Sequence, residues 1–113
     1  MTLHLKRVYE PASADDGARI LVDRLWPRGV SKEEAALADW MKDVAPSAEL
    51  RQWFGHEPAR WDEFRKRYRM ELAGNPGIET LRMMARKGKV TLVYGARDEA
   101  HNQAVVLAEA VRG

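Results

Sequence analysis

With 113 residues the chain suits one domain able to bury roughly 65% of its unfolded surface, and its 45% hydrophobic content with four Trp excludes a disordered polymer. It contains no Cys, which excludes disulfides, thiolate nucleophiles and cysteine metal sites. A net charge of +2, with a pI near 9.1, is too mild an excess to argue for nucleic acid on its own.

The N-terminal MTLHLKRVYE has no apolar leader region, and no stretch approaches the roughly 20 apolar residues of a membrane span, so the expected address is the cytoplasm with no membrane partner. The first strand is expected over Leu3 to Tyr9, ending at Glu10-Pro11, and ASADDG reads as a turn. Ile20, Leu21, Val22 and Leu25 form a short apolar run that suits a central strand covered on both faces. About nine residues separate it from the first strand, fewer than the dozen or so of a parallel crossover, so the pairing of these two strands stays open between parallel and antiparallel.

Pro27 and Gly29 end the second strand, and Ser31-Lys-Glu-Glu34 has the form of a capping box. A helix is predicted from there, burying Ala36, Leu37, Trp40, Met41 and Val44 and stopping at Pro46. Ser47 caps a short helix carrying Leu50, Trp53 and Phe54 and closed by Gly55. Glu57-Pro58 starts another with Trp61, Phe64, Tyr68 and Leu72 on one stripe. Asn75-Pro76 opens a further helix through Ile78, Leu81 and Met84 to Gly88. Val90 to Tyr94 is the third strand, and Asp98 is the expected cap of a last helix reaching Val111. Strands two and three, separated by helices, carry the signature of a parallel pair. The expected architecture is thus a single three-layer-like α/β domain over residues 1–113, with a small, mainly parallel sheet of about three strands covered by about five helices.

One device occurs twice: an apolar strand running into a short basic, glycine-containing loop that opens a helix, at ILVDRLWPRGVSKEE and VTLVYGARDEAHN. In an open α/β sheet the loops at the carboxyl ends of parallel strands face a shared crevice, where helix N-termini offer N–H groups to anions. Arg24, Trp26, Arg28 and Lys32 come from the first loop, and Tyr94, Arg97, His101 and Asn102 from the end of the third strand and the loop after it. With Asp98 as cap, His101 aligns with Ala104, Val105 and Ala108, pointing its ring toward the crevice. Guanidinium forks suit phosphate or carboxylate, and imidazole suits proton transfer near neutrality. In the site reading Arg28 and Arg97 hold an anion with Lys32 assisting, while His101 is general acid or base and Asn102 its orienter. In the plain structural reading Arg28 bridges loop carbonyls and His101 locks the last helix to the sheet.

The blocks LVDRLWPRGVSK, DWMKDVAPSAELRQWFGHEPARWDEFRKRYRMEL and VTLVYGARDEAHNQAVVL resemble the YeaO-like proteins, the short bacterial branch of domain-of-unknown-function family 488. The resemblance covers nearly the whole chain. It implies an α/β fold and carries no particular activity. It singles out Arg24, Trp26, Pro27, Arg28, Gly29 and Lys32, then a middle set including Ser47, His56, Trp61, Tyr68 and Glu71, and finally Tyr94, Arg97, Asp98, His101 and Asn102. A longer branch of that family carries cysteines around the third block. Tyr94 and Ala100 stand in that neighbourhood here, so thiol chemistry does not transfer.

RKRYR at Arg65 to Arg69 has the composition of a nucleic-acid patch, but helical spacing puts Tyr68 on the buried stripe and leaves the cations as a solvated face. His4, His56 and His101 lack metal-ligand spacing, and Ser13, Ser31 and Ser47 sit in turn or cap contexts, so neither metal, cofactor nor serine nucleophile is expected. The leading expectation is a protein that binds an anionic small molecule, a nucleotide or phosphorylated metabolite, at the strand ends, with hydrolysis or group transfer as an extension. A nucleic-acid-binding module and a protein-interaction domain anchored by exposed Trp are the alternatives. Oligomeric state has no signal in the sequence.

Overall fold

A computed structural model describes all residues, 1–113. Four parallel strands form one sheet: β1 (Leu3–Arg7), β2 (Ala18–Leu21), β3 (Asp39–Trp40) and β4 (Val90–Tyr94), in the order β1-β4-β2-β3. Leu3 pairs with Val90 and Ala18 with the same residue from the other side, so β4 lies between β1 and β2. The first two strands therefore do not pair with each other. The two N-terminal strands are parallel, and the short link between them suffices because it crosses the sheet face above β4, where the Thr91 hydroxyl donates to the Asp16 carbonyl at 2.7 Å. Gly17, at φ 64°, completes that link against the Lys89 backbone, where a side chain would collide.

The helices are α1 (Lys32–Ala35), α2 (Ala48–Phe54), α3 (Trp61–Leu72), α4 (Pro76–Lys87) and α5 (Gln103–Arg112), with single 3-10 turns at Ala14–Asp16, Lys42–Val44 and Pro58–Arg60. Alternation along the strands sorts the residues. Leu3, Ile20, Val90, Leu92 and Tyr94 belong to the main core with Phe64, Tyr68 and Leu72 of α3, Leu81 and Ala85 of α4 and Leu107 and Val111 of α5. The opposite face holds Val8 and Val93 beneath Ala35, Trp26, Val30 and Leu37. Helical cover is therefore one-sided. The second face is clad by loops, one-turn α1 and the buried group of Arg19 and Asp16, rather than by the third layer expected.

The predicted helix from Ser31 to Val44 is corrected. Ser31 does form the capping box, its Oγ accepting from Glu34 N at 3.1 Å while its own N–H donates to Glu34 Oε1 at 2.9 Å. After one turn Ala36 turns left-handed (φ 47°) and the chain runs back along β2, where Ala38 N–H donates to Arg19 O and Met41 N–H to Leu21 O. Backbone pairing with an otherwise open sheet edge wins over the helical spacing. The first strand ends at Arg7 rather than Tyr9, and the second at Leu21, so the loop that follows begins earlier than expected.

Most other local signals have their structural counterparts. Ser47 Oγ accepts from Leu50 N, Gly55 adopts φ 51° at the end of α2, and Asn75 caps α4 ahead of Pro76. Ser47 also ties to the far end of α3, its N–H and hydroxyl donating to the two carboxylate oxygens of Glu71 at 2.8 and 2.6 Å. Tyr68 is fully buried with its hydroxyl donating to the Val44 carbonyl, which turns α3 as the stripe predicts. No helix is long and apolar enough to cross a membrane.

Candidate functional site

A cleft of about 410 Å³ opens at the carboxyl ends of β2 and β4. This is the position where open α/β sheets bind ligands, because adjacent loops diverge there and leave a crevice. One wall is the loop after β2, with Leu25, Trp26, Pro27 and Arg28. The other is aromatic, with Phe54 stacked on Phe64 at 4.3 Å between ring centroids, and Arg51 and His56 stand beside it. Gly95 and Ala96, following β4, and Gln103, opening α5, complete the lining with Asp23.

The loop is held open by specific bonds. Trp26 Nε1 donates to Val30 O at 2.7 Å, and Tyr9 Oη donates to Arg28 O at 2.8 Å, fixing the backbone on either side of Gly29. Trp26 packs edge-on against Trp40, whose own Nε1 donates to Asp23 O at 2.7 Å. Leu25 and Tyr9, 60% and 47% exposed, leave apolar surface at the mouth. His56, directly after Gly55, sits at φ 57°, a conformation unusual for a side-chain-bearing residue and concentrated at functional positions.

Asp23 is the group that sequence reasoning missed. Its Oδ2 accepts from Gly95 N at 2.8 Å and its Oδ1 from the Gln103 side-chain amide. Neither donor is a cation. Burial pushes the carboxyl up to about 6, and the bonds from Gly95 and Gln103 offset only part of that. Gly95 is required for this approach, since a Cβ there would lie 3.0 Å from Asp23 Oδ2 and 3.8 Å from the Pro27 ring. An Asp just after an apolar run reads locally as a turn residue; its only sequence signal is its place inside the strand-loop device.

Between about pH 4 and 6 folded Asp23 keeps a proton that the unfolded chain has released, so its contribution to stability falls as pH rises through that window. Asp23→Asn removes the effect. The Asn oxygen can still accept from Gly95, and Gln103 can flip to present its carbonyl. The variant is expected to equal wild type near pH 4 and to be more stable at pH 8, by on the order of 3 kcal/mol at most. Paired urea titrations at the two pH values check this; an unchanged difference between the proteins would show that Asp23 is not a buried acid.

The residues expected from sequence divide. Trp26 and Arg28 line the cleft. Arg24 works behind it, Nε donating to Pro46 O at 3.0 Å and bracing a residue of the wall. Tyr94 is buried in the core below Gly95, and burial, with help from Glu99 and Glu10, pushes its phenol up. Lys32 and Arg97 are exposed outside the cleft lining. Asn102 is completely buried and caps α5: Oδ1 accepts from Ala104 N and Val105 N, and Nδ2 donates to Asp98 O at 2.9 Å. This corrects the expected cap at Asp98, which instead closes a turn by accepting from Ala100 N and His101 N.

His101 therefore precedes the helix and does not point into the cleft. Its Nδ1 lies 2.9 Å from Asp98 Oδ2, and its ring stands edge-on to Trp61, 5.2 Å between centroids, outside the cleft lining. The expected Arg28–His101 concavity is replaced by one that joins Arg28 to Asp23, Arg51, His56 and Gln103.

A profile described as an inactive DUF488-N3 subclade matches residues 2–113. The chain belongs to the DUF488 family. It is 45% identical over 113 residues to the uncharacterized protein YeaO of Escherichia coli K12, covering 99% of this chain and 98% of YeaO. It is 44% identical over 111 residues to an uncharacterized protein of Mycobacterium tuberculosis H37Rv, covering 98% of this chain and 94% of that protein. No solved structure matches the chain. The family membership agrees with the resemblance of the three sequence blocks, and the α/β fold is the one that resemblance implies.

Proposed function

We propose that this DUF488-family protein binds an anionic small molecule, a nucleotide or phosphorylated metabolite, in the cleft at the ends of β2 and β4. The observation that carries the reading is the convergence of Arg28 and Arg51 on one apolar, aromatic-walled cleft at a sheet's strand ends. Two guanidinium groups supply charge and forked donors for phosphate, while Trp26, Pro27 and Phe54 offer flat apolar surface. His56 adds an imidazole ring to the same lining. The description of the subclade as inactive favours binding without turnover, and the absence of Cys removes a thiol nucleophile.

His101 and Asn102 are given structural work in this reading, as brace and cap. The basic face of α3 is a weaker basis for a nucleic-acid interface. Arg65 and Arg69 share Glu109, and Arg67 pairs with Glu63 at 2.8 Å, so two carboxylates offset part of the charge on that face.

Calorimetric titration with inorganic phosphate and AMP tests the reading. Arg28→Ala and Arg51→Ala are each expected to weaken AMP by about tenfold or more, the effect of one lost charge-assisted hydrogen bond, with little change in melting temperature. Arg65→Ala is expected to leave affinity unchanged. Wild-type protein that binds neither compound, or cleft variants that bind as wild type does, would overturn it.

A further inference from the structure

The cleft has two chemically different ends. Arg28 and Arg51 are exposed, whereas Asp23 is held lower between Gly95 and Gln103 with no cation bonded to it. A phosphate cannot sit against Asp23 without like-charge repulsion, so an anionic ligand must place its charge toward the arginines and bring some other part to the carboxylate. That part has to donate hydrogen bonds. Asp23 accepts one bond on each oxygen, and a carboxylate has about four acceptor positions, which leaves roughly one free on each. Gln103 uses one amide hydrogen on Asp23 and keeps its second N–H and its carbonyl oxygen.

Two adjacent acceptors beside a free amide match a pair of neighbouring hydroxyls, which donate to the carboxylate and accept from the amide. An ammonium group fits less well, because Arg28 and Arg51 already make the cleft positive. Dinucleotide-binding α/β sheets solve the same problem with an acid at a strand end on a ribose hydroxyl. Resting on the anion-binding reading above, we propose that Asp23 and Gln103 read a vicinal diol, so that the cleft selects ribose-bearing phosphates over their deoxyribose counterparts.

The test is calorimetry at pH 8 with inorganic phosphate, AMP and 2′-deoxy-AMP on wild type, Asp23→Asn, Gln103→Ala and Arg28→Ala, each checked for cooperative melting. Wild type is expected to prefer AMP over 2′-deoxy-AMP by about tenfold or more, because removing one hydroxyl leaves the charged acceptor unpaired. Asp23→Asn and Gln103→Ala are expected to shrink that preference to within about threefold while phosphate binding persists. Arg28→Ala is expected to weaken both nucleotides alike and keep their ratio. Equal wild-type affinity for the two nucleotides, binding of phosphate but neither nucleotide, or an undiminished ratio in both Asp23→Asn and Gln103→Ala would overturn the diol assignment and leave anion binding standing. No binding of phosphate or either nucleotide by wild type would overturn both.

Discussion

Asp16→Ala is expected to destabilise the protein by about 3 to 5 kcal/mol, the cost of leaving a buried charge without its partner. Arg19 is only 3% exposed, and its Nη1 lies 2.7 Å from Asp16 Oδ2. Its Nε donates to Ala35 O, its Nη2 already lacks a partner, and no second carboxylate is bonded to it. Lys6 Nζ lies 3.1 Å from the same carboxylate, and Ser13 N–H donates to it at 2.9 Å. Burial alone would raise the Asp16 carboxyl, but these three donors outweigh it and hold it below the usual range. Its stabilisation is therefore present above about pH 4 and lost as pH falls through the lowered value. Joint replacement, Asp16→Ala with Arg19→Met, should recover much of the loss because no buried charge remains. Urea denaturation at pH 7 checks both; a single variant within about 1 kcal/mol of wild type would show that Arg19 finds another partner or water.

Tyr68→Ala should cost a similar amount, about 3 to 5 kcal/mol, through the cavity left by a core aromatic. The ring lies 5.6 Å from Phe64, and the hydroxyl anchors the 3-10 turn at Val44. Tyr68→Phe separates the two contributions and should lose only about 1 kcal/mol, or somewhat more if the Val44 carbonyl stays dry. Arg65→Ala, at the part-buried seam between α3 and α5, is the comparison. It removes one of two arginines on a half-exposed Glu109 and should cost well under Tyr68→Ala. Equal melting temperatures for Tyr68→Ala and Arg65→Ala would mean that α3 is turned the other way.

The sequence is legible where one local force acts alone. The stripe of Trp61, Phe64, Tyr68 and Leu72 and the caps at Ser31, Ser47 and Asn75 depend on spacing and side-chain chemistry within a few residues. The run from Ala36 to Val44 is different. Its apolar residues fit one helical face, yet Leu37 serves the second sheet face, Trp40 bonds the Asp23 backbone, and Met41 and Val44 serve the main core. That division becomes visible only once β2 offers an unpaired edge. Site residues follow the same rule. Trp26 and Arg28 are placed by the loop that contains them, whereas Asp23 acquires its character from Gly95 and Gln103, more than 70 residues away in sequence. The cap at Asn102 rather than Asp98 moved His101 out of the helix, and with it the reason to aim its ring into the crevice.

The most direct measurement of the central claim is a titration of isotopically labelled protein with AMP, followed by amide and indole resonances. Saturable shifts should centre on the Gly95 and Ala96 amides, the Gln103 side-chain amide and the indole N–H groups of Trp26 and Trp40, all in or bonded to the cleft. Amides of Arg65 to Arg69 should stay in place. Shifts confined to that helical face, or spread evenly over basic side chains and abolished by modest salt, would contradict a built anion site at the strand ends.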